Sequence, residues 1–320
     1  MVRAVLRLTA LLVCVGLATS RIGLVVHELI GHGGATLAVG GTVTNVWLFT
    51  FAGGWIRFRA TGGHLVIAMG GIAVEAVIGA LLVLVFARRE QLAGRIVRAI
   101  GCALIIHASW YLATGTWHGY GDGVQLHRLL GDSRWIVAVP AALVACAAGY
   151  AGAKIVLGSL AATVPGSRRA RFAGTVVAIV LAGGIQLGAA LGEVALRRDP
   201  TYATAMRPER ERVISREMGQ WIEAQHREGQ APSDADRARM RREVADRHAT
   251  FPFAYVLGGL LLVSIGLGAA CSPAPPGPDG RAPDLLRRAG PTLSGRVIAI
   301  AAAAAGGSVA LVIALDALLL

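Results

Sequence analysis

A chain of 320 residues with 55% hydrophobic residues and a mean hydropathy of +0.60 is too apolar for a soluble globular domain. It predicts an all-α polytopic membrane protein of about seven or eight transmembrane segments, because several runs approach the roughly 18–20 apolar residues that cross a bilayer. The formal charge of +12 does not imply nucleic acid: apart from Lys154 the 31 basic residues are all Arg, and most lie between apolar runs, where topology-setting charge belongs.

Residues 1–20 have signal-peptide character, with Arg3 and Arg7 before an apolar core and small residues. Apolar sequence resumes directly after Arg21, so an uncleaved first membrane segment is expected. Residues 4–38 are nearly continuous apolar sequence; as one helix they would be on the order of 50 Å long, beyond a hydrocarbon core of roughly 30 Å. This segment must tilt, protrude, or break near Thr19-Ser20-Arg21. It contains HELIGH, residues 27–32. The next stretch, TVTNVWLFTFAGGWIRFRA (42–60), is rich in Thr, Val, Trp and Phe and predicts a small β-hairpin turning at Gly53-Gly54.

Further spans are expected at 63–87, 96–115, 135–160, 172–196, 252–270 and 295–318, with a Pro/Gly-rich extramembrane loop at 272–294. Residues 197–250 carry 12 Arg and 10 Asp or Glu. Ile214, Met218, Trp221 and Ile222 share a helical face, and Ser233 with Asp236 forms a capping pattern. A charged helical hairpin is expected there, either a solvated spacer or an element that gates substrate or docks a partner. The chain thus divides into a membrane core (1–160), an additional span (161–196), the charged insert (197–250) and a C-terminal pair of spans (251–320). If residues 4–38 cross once, the N-terminus and the 88–95, 165–171 and 272–294 loops share one side, which their Arg-rich short loops would make cytoplasmic, with the insert outside; a break near Arg21 would change only the side of the N-terminus. Cys14, Cys102, Cys146 and Cys271 lie in or beside apolar runs without metal spacing and are expected to be small packing residues. Abundant Ala, Gly and Arg suggest a GC-rich bacterial genome, hence a bacterial cytoplasmic membrane.

Ionisable groups inside apolar spans are costly and default to function. Here they are His27, Glu28, His32, Glu75, His107, Glu193 and Asp316. A helix that binds zinc through two His has them four apart, with a Glu after the first acting as base. In HELIGH they are five apart, about 140° around an ideal α-helix. A one-residue π-bulge would realign them, and Gly31 eases that distortion. The alternative is that either His makes a polar contact between helices. Asp122, between Gly121 and Gly123, is a carboxylate on a turn at a membrane boundary; it suits a third metal ligand, or simply an Asp-Gly turn.

The apolar helix leading into His-Glu, the LAVGG exit, the hairpin, LVIAMGGIAVEAVIGALL and YGDGVQLHRLL follow one another in an order that resembles the site-2 protease family of intramembrane zinc metalloproteases, over residues 5–160. The resemblance implies one Zn²⁺ held by His27, His32 and Asp122, with Glu28 as catalytic base and the hairpin holding an extended substrate. It implies hydrolysis of membrane-spanning or membrane-adjacent protein or peptide substrates within the lipid bilayer, as in regulated intramembrane proteolysis. The chain departs from the family in its HExxxH spacing, a spacing similar to the H-E-x-x-G-H of the dipeptidyl peptidase III family. It also departs in TWHGYG (116–121), where the family has an Asn- and Pro-rich stretch. Glu75, His107 and His118 are candidate supporting partners of the ligands, whereas Glu193 and Asp316 are expected to be interfacial. Two other readings compete: a protease-like protein without catalysis that binds or regulates, and a transporter that uses the buried charges.

Overall fold

The computed structural model of the protein describes residues 1–272 and 293–319, so nearly all of the expected 272–294 loop lies outside the described residues. Helix α1, Val2–Val25, runs unbroken through Thr19, Ser20 and Arg21. Of tilt, protrusion and a break there, the break does not occur: the Thr19 hydroxyl donates to the Val15 carbonyl at 2.8 Å, and Arg21 is buried against the hairpin loop. The helix instead changes winding over Val26–Gly33, which is π-helical, and closes with α2, Gly34–Ala38.

Strands β1 (Thr42–Leu48) and β2 (Gly54–Arg59) form the expected antiparallel hairpin, with Thr42 opposite Arg59 and Leu48 opposite Gly54. A bulge lies between Val43 and Asn45. The turn is the five-residue loop 49–53, closed by the Phe49 N–H donating to the Gly53 carbonyl at 2.9 Å, so Gly53-Gly54 ends the loop rather than centring it. Trp47 and Trp55 stack across the strands at 3.7 Å.

Helices α3 (His64–Val85) and α4 (Leu92–His118) follow, approaching closely where Gly79 and Gly101 each face the other's carbonyl. A short 3₁₀ turn, Gly121–Gly123, leads into α5 (Val124–Leu130) and then the long α6 (Trp135–Ala161). After α7 (Arg168–Arg197) comes the charged insert, made of α8 (Pro200–Ala205), α9 (Glu209–Arg227) and α10 (Asp234–Arg247). Helices α11 (Phe253–Ala270) and α12 (Gly295–Leu319) complete the described chain. Among the described residues seven helical segments are long and apolar enough to cross a bilayer, which makes this a multi-pass helical membrane protein.

Two packing layers position the first span. Leu8 and Leu11 of α1 are buried with Leu160, Val164, Ala178 and Ala301, which ties α1 to α6, α7 and α12. Val46 and Leu48 of β1 are buried with Val312 of α12, so the last helix covers the hairpin. In the insert, Ile214 of α9 and Val244 of α10 are each 1% exposed, and burying each stabilises the pair by about 1.5–3 kcal/mol. Arg241–Glu211 at 3.2 Å and Arg247–Glu217 at 2.9 Å link the two helices. The Asp236 N–H donates to the Ser233 side chain at 3.2 Å, the expected cap. The insert lies at the hairpin end of the bundle: Tyr202 packs on Phe49 at 4.9 Å, and the Trp55 indole donates to Asp199 at 3.4 Å. The four cysteines are all free.

Candidate metal centre

The π-turn answers the spacing of HELIGH. With one extra residue in the turn, residues five apart stack along the axis instead of splaying. The N–H of Gly34 accordingly reaches the Leu29 carbonyl, five residues back. His27 and His32 then meet edge to face, with ring centroids 4.8 Å apart. Gly31 permits the distortion and the packing that follows, because a Cβ there would collide with the backbone of Gly70 and Gly71 on α3.

Asp122 arrives from the 3₁₀ turn after α4. Its two flanking glycines are both needed. Gly121 has φ +51 and backs onto the Tyr111 hydroxyl, and Gly123 is pressed against Gly115 and Thr116. His27 Nε2 lies 3.0 Å from Asp122 Oδ2, His32 Nε2 lies 3.2 Å from the same oxygen, and the two Nε2 atoms are 3.2 Å apart. Ligands bonded at about 2.0–2.2 Å around a tetrahedral ion are roughly 3.3–3.5 Å from one another, so this triangle has nearly metal-site dimensions.

The remaining ring nitrogens fix the tautomers. His32 Nδ1 donates to the Ile67 carbonyl at 2.6 Å, and His27 Nδ1 donates to the Glu75 carboxylate at 3.3 Å. A carbonyl and a carboxylate only accept, so each Nδ1 carries a proton, and in the neutral rings both Nε2 lone pairs face Asp122. Two such lone pairs and a carboxylate oxygen in mutual contact repel unless protons or a metal ion lie among them. Gly71 keeps the space open: a Cβ on it would sit 2.5 Å from His27 Nε2. His27, His32 and Asp122 therefore form a candidate metal-binding triad.

Glu28 is 6% exposed and, with His27, Glu75 and His107, lines the polar end of a cavity of about 860 Å³. The rest of that cavity is largely apolar, formed by residues such as Leu11, Val15, Ile96 and Leu160. Ala52, Gly53 and Gly54 of the hairpin, and Tyr202 and Met206 of the insert, also reach it. Burial pushes the Tyr202 hydroxyl above its ordinary value, so it faces the cavity neutral.

Glu75 does join the ligands, through His27, and it also holds His107, whose Nδ1 is 3.0 and 2.9 Å from its two oxygens. His118 is not brought to the triad: its Nε2 is buried without a hydrogen-bond partner, and the charged or ionisable groups around it are Arg134 and His127.

Glu193 and Asp316 are more than interfacial. Glu193 accepts the backbone N–H groups of Thr50, Phe51 and Ala52 at 2.7, 2.5 and 3.0 Å. Asp316 accepts the Leu48 N–H at 2.7 Å, and Arg197 bridges both carboxylates, Glu193 at 3.1 Å and Asp316 at 3.3 Å. From α1, Arg21 donates to the Phe49 and Phe51 carbonyls at 2.6 and 3.2 Å. Arg21 of α1 and Glu193 of α7 thus grip the loop that borders the cavity, and Asp316 of α12 holds the end of β1 that leads into it. A sequence signal existed in the acidic side chains within apolar spans and the i,i+4 spacing of Glu193 and Arg197, but their partners were not readable from it.

Comparison with protein-family models, curated proteins and solved structures gives no match. Fold and site together describe a multi-pass helical membrane protein with a His-His-Asp candidate metal centre between its first span and the turn after α4.

Proposed function

We propose that the protein is an intramembrane zinc endopeptidase. The observation that carries this reading is the triangle of His27 Nε2, His32 Nε2 and Asp122 Oδ2 with Glu28 beside it on the wall of a cavity. Two imidazoles, one carboxylate and an open side suit Zn²⁺ in a hydrolytic site. When bound there, zinc supplies a Lewis acid for a carbonyl and lowers the pKa of a water. Glu28 takes the proton of the attacking water and returns it to the leaving amine. Glu75 holds the His27 ring so that Nε2 points into the centre, and the Ile67 carbonyl does the same for His32. The loop 49–53, fixed from α1 and α7, supports a hairpin beside which an extended peptide segment can lie. The apolar cavity suits a membrane-embedded or membrane-adjacent peptide, and the resemblance to the site-2 protease family supports the same substrates.

Metal analysis and peptide mapping test this together. The purified protein should hold about one zinc per chain, and His27→Ala and Asp122→Ala should each lose it. Glu28→Gln should keep the zinc but fail to generate new termini, read by mass spectrometry, from a library of apolar peptides in detergent micelles. Zinc retained by both ligand variants, or cleavage by Glu28→Gln, overturns the assignment.

A further inference from the structure

We infer that His107 is a substrate-binding residue that accepts a main-chain N–H of an unwound peptide through its Nε2, an inference that rests on the peptidase reading above. Its Nδ1 contacts both oxygens of Glu75. Because a carboxylate only accepts, the neutral ring carries its proton on Nδ1 and leaves Nε2 as an acceptor. Ring position is fixed a second time by stacking on Tyr111, with centroids 6.1 Å apart and planes at 14°.

A histidine that served only to satisfy Glu75 would be buried with it. The Glu75 side chain is 4% exposed, whereas that of His107 is 62% exposed and lines the cavity. Glu75 already has His27 as a partner. In that tautomer Nε2 is an acceptor without a protein donor among the described residues, on a side chain that lines a largely apolar cavity. An acceptor so placed is free to receive a donor from a segment bound in the cavity.

Peptide geometry identifies the donor. A helical segment has its N–H groups bonded internally and offers none. A segment unwound for hydrolysis exposes N–H groups, each costly in an apolar surrounding unless an acceptor is supplied. The His107 ring lies 6.5 Å from that of His27, within a residue or two of a carbonyl held at the triad. His107 therefore favours the unwound over the helical form of the segment at the site.

The probe is an N-acyl dileucine hydroxamate, compared with analogues methylated at each peptide nitrogen in turn. It is titrated into the cobalt-loaded full-length protein, with binding read from the cobalt absorption bands. In the wild type one methylated analogue should bind roughly five- to tenfold more weakly, the effect of one hydrogen bond. That discrimination should vanish in His107→Phe and return in part in His107→Gln, whose side-chain amide oxygen can accept. Both variants should keep the cobalt spectrum. Discrimination that survives in His107→Phe, or is absent from the wild type, overturns the inference, as does loss of the cobalt spectrum in both variants. A wild type that gives no cobalt spectrum removes the metal reading itself, and the two failures are thereby told apart.

Discussion

Gly71→Ala puts the candidate metal centre to its most direct steric test. The added methyl would stand 2.5 Å from His27 Nε2 and 2.7 Å from Cδ2 and Cε1. An ordinary nonbonded contact is about 3.5 Å, so the ring must retreat by about 1 Å. Metal–ligand distances tolerate only about 0.2 Å, and a retreat of that size removes His27 as a ligand. The ring cannot simply slide back, because the Glu75 carboxylate holds its Nδ1 from behind. We expect zinc affinity, measured by competition with a chromophoric chelator, to fall by two orders of magnitude or more, on the order of 3 kcal/mol or above. The backbone itself should tolerate the change, because alanine is a better helix former than glycine by about 0.5–1 kcal/mol. Gly34→Ala is the matched control on the first span: no atom lies within 4 Å of the Cβ it would add. Its zinc affinity should equal that of the wild type. Wild-type affinity in Gly71→Ala would mean that His27 does not bind metal through Nε2, and the triad would fall with it.

Three further outcomes follow from the contacts described. Glu75→Gln should lower zinc affinity about 10- to 100-fold, the usual cost of losing a partner behind a ligand histidine, as measured by the same competition. Glu193→Ala removes the acceptor of three backbone N–H groups; hydrogen exchange at residues 50–52 should accelerate at least about tenfold while the core of α6 keeps its protection. Contact with His248 at 2.6 Å holds the Glu217 carboxyl below its ordinary range, so its contribution to the α9–α10 pairing is complete above that range and is lost as pH falls through the depressed value. Far-ultraviolet dichroism of the full chain should accordingly show the insert loosening only in acid, and Glu217→Gln should abolish that acid step.

Much of this architecture was legible because the bilayer imposes a simple code. Span positions follow from runs of apolar residues, and those from 63–87 to 295–318 lie within a few residues of α3 to α12. The π-turn was legible too, since two histidines five apart can serve one ion only if the helix takes up an extra residue. Arg21 was misread. An arginine in an apolar run suggests a break, but here two carbonyls of a loop 28 and 30 residues away receive it, and the helix continues. Glu193 and Asp316 were undervalued for a related reason: the groups they serve are backbone N–H groups, which leave no mark in a sequence. His118 shows the converse, because nearness along the chain to Asp122 does not bring it to the triad.

The grip on the loop 49–53 makes bilayer thickness a variable of the site. Its holding groups ride on α1 and α7, and the strand end that leads into it is held from α12; all three helices adjust tilt when the hydrocarbon layer thickens or thins. Each carboxylate follows its own helix, so a change of tilt reaches the loop as a displacement of the backbone groups it holds. The hairpin is thereby suspended from the membrane-spanning helices as well as joined to the first of them by the chain. Lipid composition can then alter the floor of the cavity without any ligand touching it.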